Sequence, residues 1–115
     1  MKYTEFATAY RNYGNAIISR FPITAARSIP LLTPQRHASF KRVLLKCTIA
    51  LPNGKEIGVH CTHLDHELES ERHIQFNKVM AALSLSEPHL LIGDFNMLSL
   101  ESHYAPEKWE SVVKV

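Results

Sequence analysis

An α/β (α+β) fold, with helix layered on sheet, is what this sequence predicts, on three observations. Two segments of strict alternation flank Pro52-Asn53-Gly54, a segment with apolar residues three and four apart occupies about 70–86, and the short apolar run His89-Leu90-Leu91-Ile92 follows Pro88. Period two marks strands and period 3.6 marks a helix, so the order β, ββ, α, β describes a layered sandwich. The chain has 115 residues, 45% of them hydrophobic, with four Gly and six Pro, which suits one folded domain at most. No apolar run approaches the roughly 18 residues a membrane span requires. The opening Met1-Lys2-Tyr3-Thr4-Glu5-Phe6 has no apolar block of a secretory signal behind it, so an intracellular place, cytoplasmic or nuclear, is expected. Two cysteines are too few for a disulfide framework and suit a reducing compartment.

Along the chain, Gly14 and Asn15 open a β-branched, apolar run that predicts a strand over Tyr13 to Ile18, and Pro22 closes it. Residues 24–39, with Pro30 and Pro34, read as a loop holding at most one short strand. Phe40 to Leu51 then alternates, with Val43, Leu45, Cys47, Ile49 and Leu51 on one face, and Ile57, Val59 and Cys61 alternate after the turn. A slip of one residue would turn one strand over, so apolar faces match only in one parity of register. A three-residue Pro-Asn-Gly loop meets that condition, with Gly54 in the left-handed position. It sets Leu51 against Lys55, Ile49 against Ile57, Cys47 against Val59 and Leu45 against Cys61. Both cysteines then face the core but sit diagonally, and are expected buried, reduced and unbonded.

Phe76, Val79, Met80 and Leu83 predict a helix from about Ser70, read as N-cap, to Ser86, with Pro88 barring continuation. The run 89–92 is apolar on both faces, as in a central strand. Pro106 to Val113 reads as a last helix. Charge is uneven: residues 1–55 hold nine Lys and Arg against Glu5 alone, net +8, and the remainder four basic against ten acidic residues, net −6. Such asymmetry suits either an anionic partner or mutual attraction of two halves of one domain.

Three stretches carry chemistry. Gly93-Asp94-Phe95-Asn96 ends a strand, and alternation places Asp94 and Asn96 together at its carboxyl edge while Phe95 turns to the core. The competing reading is an Asx turn satisfying local backbone. His60, His63 and His66 stand three apart, which invites zinc, but in a strand His60 and His63 lie on opposite faces and no Cys pair or Glu-x-x-His supports them. A single catalytic or phosphate-contacting His63 is the sharper idea. The third stretch is Tyr13-Gly14-Asn15-Ala16-Ile17-Ile18-Ser19-Arg20-Phe21-Pro22-Ile23.

Together and in this order, Tyr13 to Ile23, Thr62-His63-Leu64 with Glu71-Arg72 and Gln75 downstream, and Gly93-Asp94-Phe95-Asn96 resemble the central blocks of the endonuclease/exonuclease/phosphatase superfamily, the DNase I-like fold. The span from Thr62 to Gln75 is also similar to the branch that removes tyrosyl adducts from DNA 5′ ends. The resemblance implies a four-layer α/β/β/α sandwich and a Mg²⁺-dependent phosphoesterase acting on a phosphate-ester substrate, in some branches a nucleic acid. It implies Asp94 as general base, Asn96 as its partner at the phosphate or water, His63 as donor to a phosphate oxygen, and Asn15 as a residue facing the same cleft. Family members carry an early strand with a magnesium-holding Glu and a late Asp-His pair. Glu5 stands in no matching context, and Ser102-His103 follows Asn96 too soon and lacks the Asp. Residues 1–115 therefore read as the central portion of a single domain, weakly active or inactive alone. The other readings are a noncatalytic interaction remnant and a nucleic-acid-binding module using Arg36, Lys41, Arg42 and Lys46.

Overall fold

The computed structural model describes residues 3–10, 13–35 and 42–97. Strands β1 (Tyr3–Tyr10) and β2 (Tyr13–Ser19) form an antiparallel pair. Strands β3 (Ile23–Pro30), β4 (Val43–Ala50), β5 (Glu56–His63) and β6 (His89–Asp94) form a second sheet in that order, β6 running parallel to β5 and the others antiparallel. Helix α1 (Glu69–Ala82) is the crossover between the two parallel strands, as parallel pairing requires. One core, of Ala7, Ile17, Val43, Leu45 and Cys47, lies between the sheets. The other, of Leu31, Leu44, Leu64, Val79 and Leu83, lies between the larger sheet and α1. Among the described residues this makes three layers, helix on sheet on sheet, and α/β is the fold class. No described helix is long and apolar enough to cross a membrane.

The hairpin has the expected register: Leu45 pairs with Cys61, Cys47 with Val59 and Ile49 with Ile57. Gly54 closes the turn at φ 80°, its N–H donating to the Leu51 carbonyl at 3.0 Å, and Leu51 N–H donates to the Lys55 carbonyl at 2.8 Å. Strand β4 begins at Val43; Phe40 and Lys41 lie outside the described residues, as does the helix expected at Pro106 to Val113.

Several expectations are corrected. The stretch read as a loop with at most one short strand holds β3, eight residues long and paired along β4; ITAARSIP has no apolar alternation, and the waiting edge of β4 decides its state. Strand β1 precedes the first strand the sequence predicts and pairs with it. Helix α1 is capped at Leu68, not Ser70, because Asp65 Oδ1 accepts the N–H groups of Glu67 and Leu68 at 2.8 Å and starts the turn earlier. It ends at Ala82, whose carbonyl accepts from Lys46 Nζ at 2.6 Å. Met80 is 37% exposed, and Glu71, Arg72 and Gln75 instead extend the buried stripe of Val79. In the described residues β6 is an edge strand, with Leu90 52% and Ile92 55% exposed. These two share the face of Val59 and Cys61, which the two-stranded sheet covers over β4 and β5.

The thiols are free as expected, but Cys61 is only half-buried while Cys47 is buried. Burial, then the negative field of Glu5 and Cys61, pushes the Cys47 thiol up to about 11, and burial also raises Cys61. The reactive species is the thiolate. At pH 8 Cys47 should therefore react with maleimide roughly a hundredfold more slowly than a free cysteine, and normally once denaturant is added. Mass spectrometry of labelled peptides checks this; a Cys47–Cys61 disulfide in the unlabelled fraction contradicts it.

Candidate active site

His63 and Asp94 end adjacent parallel strands and are paired across them. Side chains alternate along a strand, so both stand on the face that Val59 and Cys61 line. His63 Nε2 lies 3.7 Å from Asp94 Oδ2. On its other side His63 Nδ1 lies 2.8 Å from the Tyr13 hydroxyl, which also accepts from Arg42 Nη1 at 2.6 Å. Arginine only donates, so the hydroxyl spends its own proton on Nδ1. The neutral imidazole then carries its N–H on Nε2, facing the carboxylate.

Arg42 is 3% exposed and stacks its guanidinium 5.5 Å from the Tyr13 ring centre, while Nη2 donates to His66 Nδ1 at 3.0 Å. Burial foremost, then the Arg42 charge, holds the His63 pKa below its ordinary 6.5; Asp94 pulls the other way and His66 adds slightly to the lowering. As pH falls through 6.5 the unfolded chain takes up this proton before the folded one, so the His63 contribution to stability is present above 6.5 and lost on acidification. In a histidine-ring NMR titration, Asp94→Asn should lower the His63 pKa further and Arg42→Gln should raise it. Shifts of the opposite sign would contradict the assignment of these fields.

Asp94 reaches Asn96 through a turn rather than by strand alternation. Asn96 sits at φ 50°, its N–H donating to Asp94 Oδ1 at 2.9 Å, and its Nδ2 donates to the Leu64 carbonyl at 2.9 Å. The Asx turn thus exists, and it aims the carboxylate and ties the β6 exit to the β5 exit. Phe95 packs into the helix-side core, edge-on to Phe76 at 6.4 Å. His63, Asp94 and Asn96 are brought to one edge. Asn15 is placed lower, between the sheets, where Nδ2 donates to the Val43 carbonyl at 2.8 Å and weakly to the Cys61 carbonyl at 3.5 Å.

The downstream residues scaffold the loop after His63. Gln75 Oε1 accepts from Asp65 N–H at 2.7 Å, Arg72 Nη1 donates to the Asp65 carbonyl at 3.2 Å, and Thr33 Oγ1 donates to Glu71. Sequence reasoning missed Tyr13 and Arg42 as partners of His63. Tyr13 heads the first motif, which is a signal; Arg42 reads only as one of a basic group. Two members of that group turn inward, Arg42 to Tyr13 and His66 and Lys46 to Ala82, and Arg36 and Lys41 lie outside the described residues.

Magnesium demands hard oxygen ligands in near-octahedral array. Asp65 and Glu71 are buried and hydrogen-bonded within the protein, and Glu67 pairs with His66 at 3.6 Å. Among the described residues no three of His, Cys, Asp and Glu converge on one point. These residues do not by themselves fit a magnesium site.

The fold is shared with solved structures. An endonuclease/exonuclease/phosphatase from Beutenbergia cavernae matches 94% of this chain and 35% of its own length, at 20% identity and a TM-score of 0.71. ANGEL2, a 2′,3′-cyclic phosphatase, matches 84% of this chain and 32% of its own, at 18% identity and 0.62. A mannosyl-6-phosphatase of Bacteroides thetaiotaomicron matches 66% and 33%, at 22% identity and 0.55. The chain thus spans about a third of the length of these structures. Against the curated proteins the sequence has no significant match. The family model of the endonuclease/exonuclease/phosphatase family matches residues 2–106, the stretch that holds the His63–Asp94 edge, and the chain belongs to that family.

Proposed function

We propose that this chain carries the base and oxygen donors of a phosphoester hydrolase, and that residues 1–115 are the central portion of a single, larger catalytic domain. The supporting observation is a neutral imidazole, its N–H on Nε2, beside an exposed carboxylate at the carboxyl edge of two parallel strands. Asp94 takes the proton of a water as the water oxygen bonds to phosphorus. His63 Nε2–H donates to a non-bridging oxygen on which charge accumulates, and the ester oxygen leaves and is protonated from solvent. Asn96 positions Asp94 through its backbone N–H, and Tyr13 and Arg42 hold the His63 tautomer. Metal dependence is general in the family, and magnesium, when bound, would neutralise charge on phosphate oxygens. Solved relatives named as phosphatases of a cyclic phosphate and of a sugar phosphate support the phosphate-ester class.

Inorganic phosphate is the probe that tests this reading. Added to the chain, it should shift the His63 ring resonances saturably. Binding should tighten several-fold in Asp94→Asn, which removes a repelling charge, and the Gly93 and Asn96 amide shifts should vanish in His63→Ala. Phosphate that shifts other residues and leaves His63 silent would sink the proposal.

A further inference from the structure

At the opposite end of the same two strands lies a second cluster that the hydrolase reading leaves unused. Helix α1 stops at Ala82, so the helix-side face of the sheet continues uncovered past it. The result is an open cavity of about 350 Å³, lined in part by Lys46, Thr48, Glu56, His60, Glu87 and His89. Two imidazoles meet there, His60 and His89, with ring centres 5.7 Å apart.

His60 is 7% exposed, and among the described residues its buried Nδ1 has no hydrogen bond of ordinary geometry. The Val59 backbone lies beside it but makes no bond of ordinary geometry with the buried Nδ1. With Nδ1 buried, Nε2 is the nitrogen available to a ligand in the cavity. Its Nε2 lies over the bare Cα of Gly58, where a Cβ would stand 2.8 Å from Nε2 and 3.0 Å from His89 Cβ. The missing side chain is what leaves Nε2 open toward His89. On the other ring, Nδ1 contacts the Glu87 carbonyl at 2.9 Å. A carbonyl only accepts, so Nδ1 carries the proton and the lone pair sits on Nε2. Metal-binding histidines are commonly oriented by such a backbone bond.

We propose that His60 and His89 bind a divalent transition ion of the zinc class through their Nε2 atoms, with water completing the coordination. An ion about 2.0–2.1 Å from one nitrogen of each ring sets the ring centres roughly 5–6.5 Å apart, and the observed spacing falls inside that range. Imidazole suits zinc rather than magnesium. Lys46, held on the Ala82 carbonyl, places a positive charge at the cavity, against which Glu56 and Glu87 supply negative charge. No third His, Cys, Asp or Glu joins the pair among the described residues, so the site holds its ion with open positions. Its effect would be to clamp the start of β6 to β5.

Calorimetric titration of the chain with zinc chloride, read alongside histidine-ring NMR, tests this. One equivalent should bind, perturb His60 and His89, and raise the melting temperature as zinc increases. His89→Ala and His60→Ala should each weaken binding tenfold or more, and His63→Ala should leave it unchanged. His89 lies at the sheet edge, so its variant spares the core, and circular dichroism confirms folding. Equal zinc binding by wild type and His89→Ala, or perturbation centred on His63 and His66, would overturn the assignment.

Discussion

Supplied with Mg²⁺ and a generic phosphodiester, the 115 residues alone should hydrolyse it no faster than background. Phosphoryl chemistry at neutral pH needs three things together: a base on the water, donors at oxygens where charge grows, and a cation that neutralises them. On the proposed reading, the His63–Asp94 edge supplies the first two. Among the described residues no second carboxylate converges there, since Asp65 and Glu71 are consumed internally. A missing cation contribution of several kcal/mol corresponds to a rate lower by about 10³ or more. The measurement is initial rate against Mg²⁺ concentration, with Asp94→Ala run beside it to expose contaminating hydrolase. Turnover that rises with Mg²⁺ and disappears in Asp94→Ala would mean that these residues already build a complete site.

Gly93→Ala should unseat the end of β6 and destabilise the fold by roughly 3 kcal/mol or more, the upper part of the overpacking range. A Cβ at this position would stand 1.8 Å from the Thr62 carbonyl oxygen and 2.9 Å from its carbon. Both atoms belong to the β5 backbone, which cannot move aside without breaking the ladder that pairs Thr62 with Gly93 and His63 with Asp94. The residue also sits at φ 155°, where side chains are disfavoured. In a domain of this size the melting temperature should fall by on the order of 10 °C. Gly54→Ala is the contrast: nothing lies within 4 Å of its Cβ, although φ is 80°, so only the left-handed backbone cost of roughly 1 kcal/mol remains. Thermal and urea unfolding of both variants measure the difference. A Gly93→Ala protein as stable as wild type would show that β5 and β6 approach less closely than described.

The two results are separable because they act on different properties. Gly93→Ala removes the frame, and the phosphate response of His63 should go with it. Asp94→Asn keeps the frame and changes only a charge at its edge.

By itself the sequence determined what near neighbours encode. Alternation and the Pro-Asn-Gly turn settle the β4–β5 register, because period two and a three-residue loop leave one parity that matches apolar faces. That His63 and Asp94 lie where strands end was legible in the same way, whereas Asn96 meets Asp94 through an Asx turn and not by strand alternation. Only the tertiary structure decided the rest. The state of β3 depends on the edge of β4 beside it, since its own residues carry no periodic signal. Whether β6 is buried depends on what lies over Leu90 and Ile92, not on their being apolar. The Tyr13 contact to His63 joins residues 50 positions apart, and His60 meets His89 across a parallel pair. Contacts of that length are set by how strands cross and stack, so no window of neighbouring residues contains them.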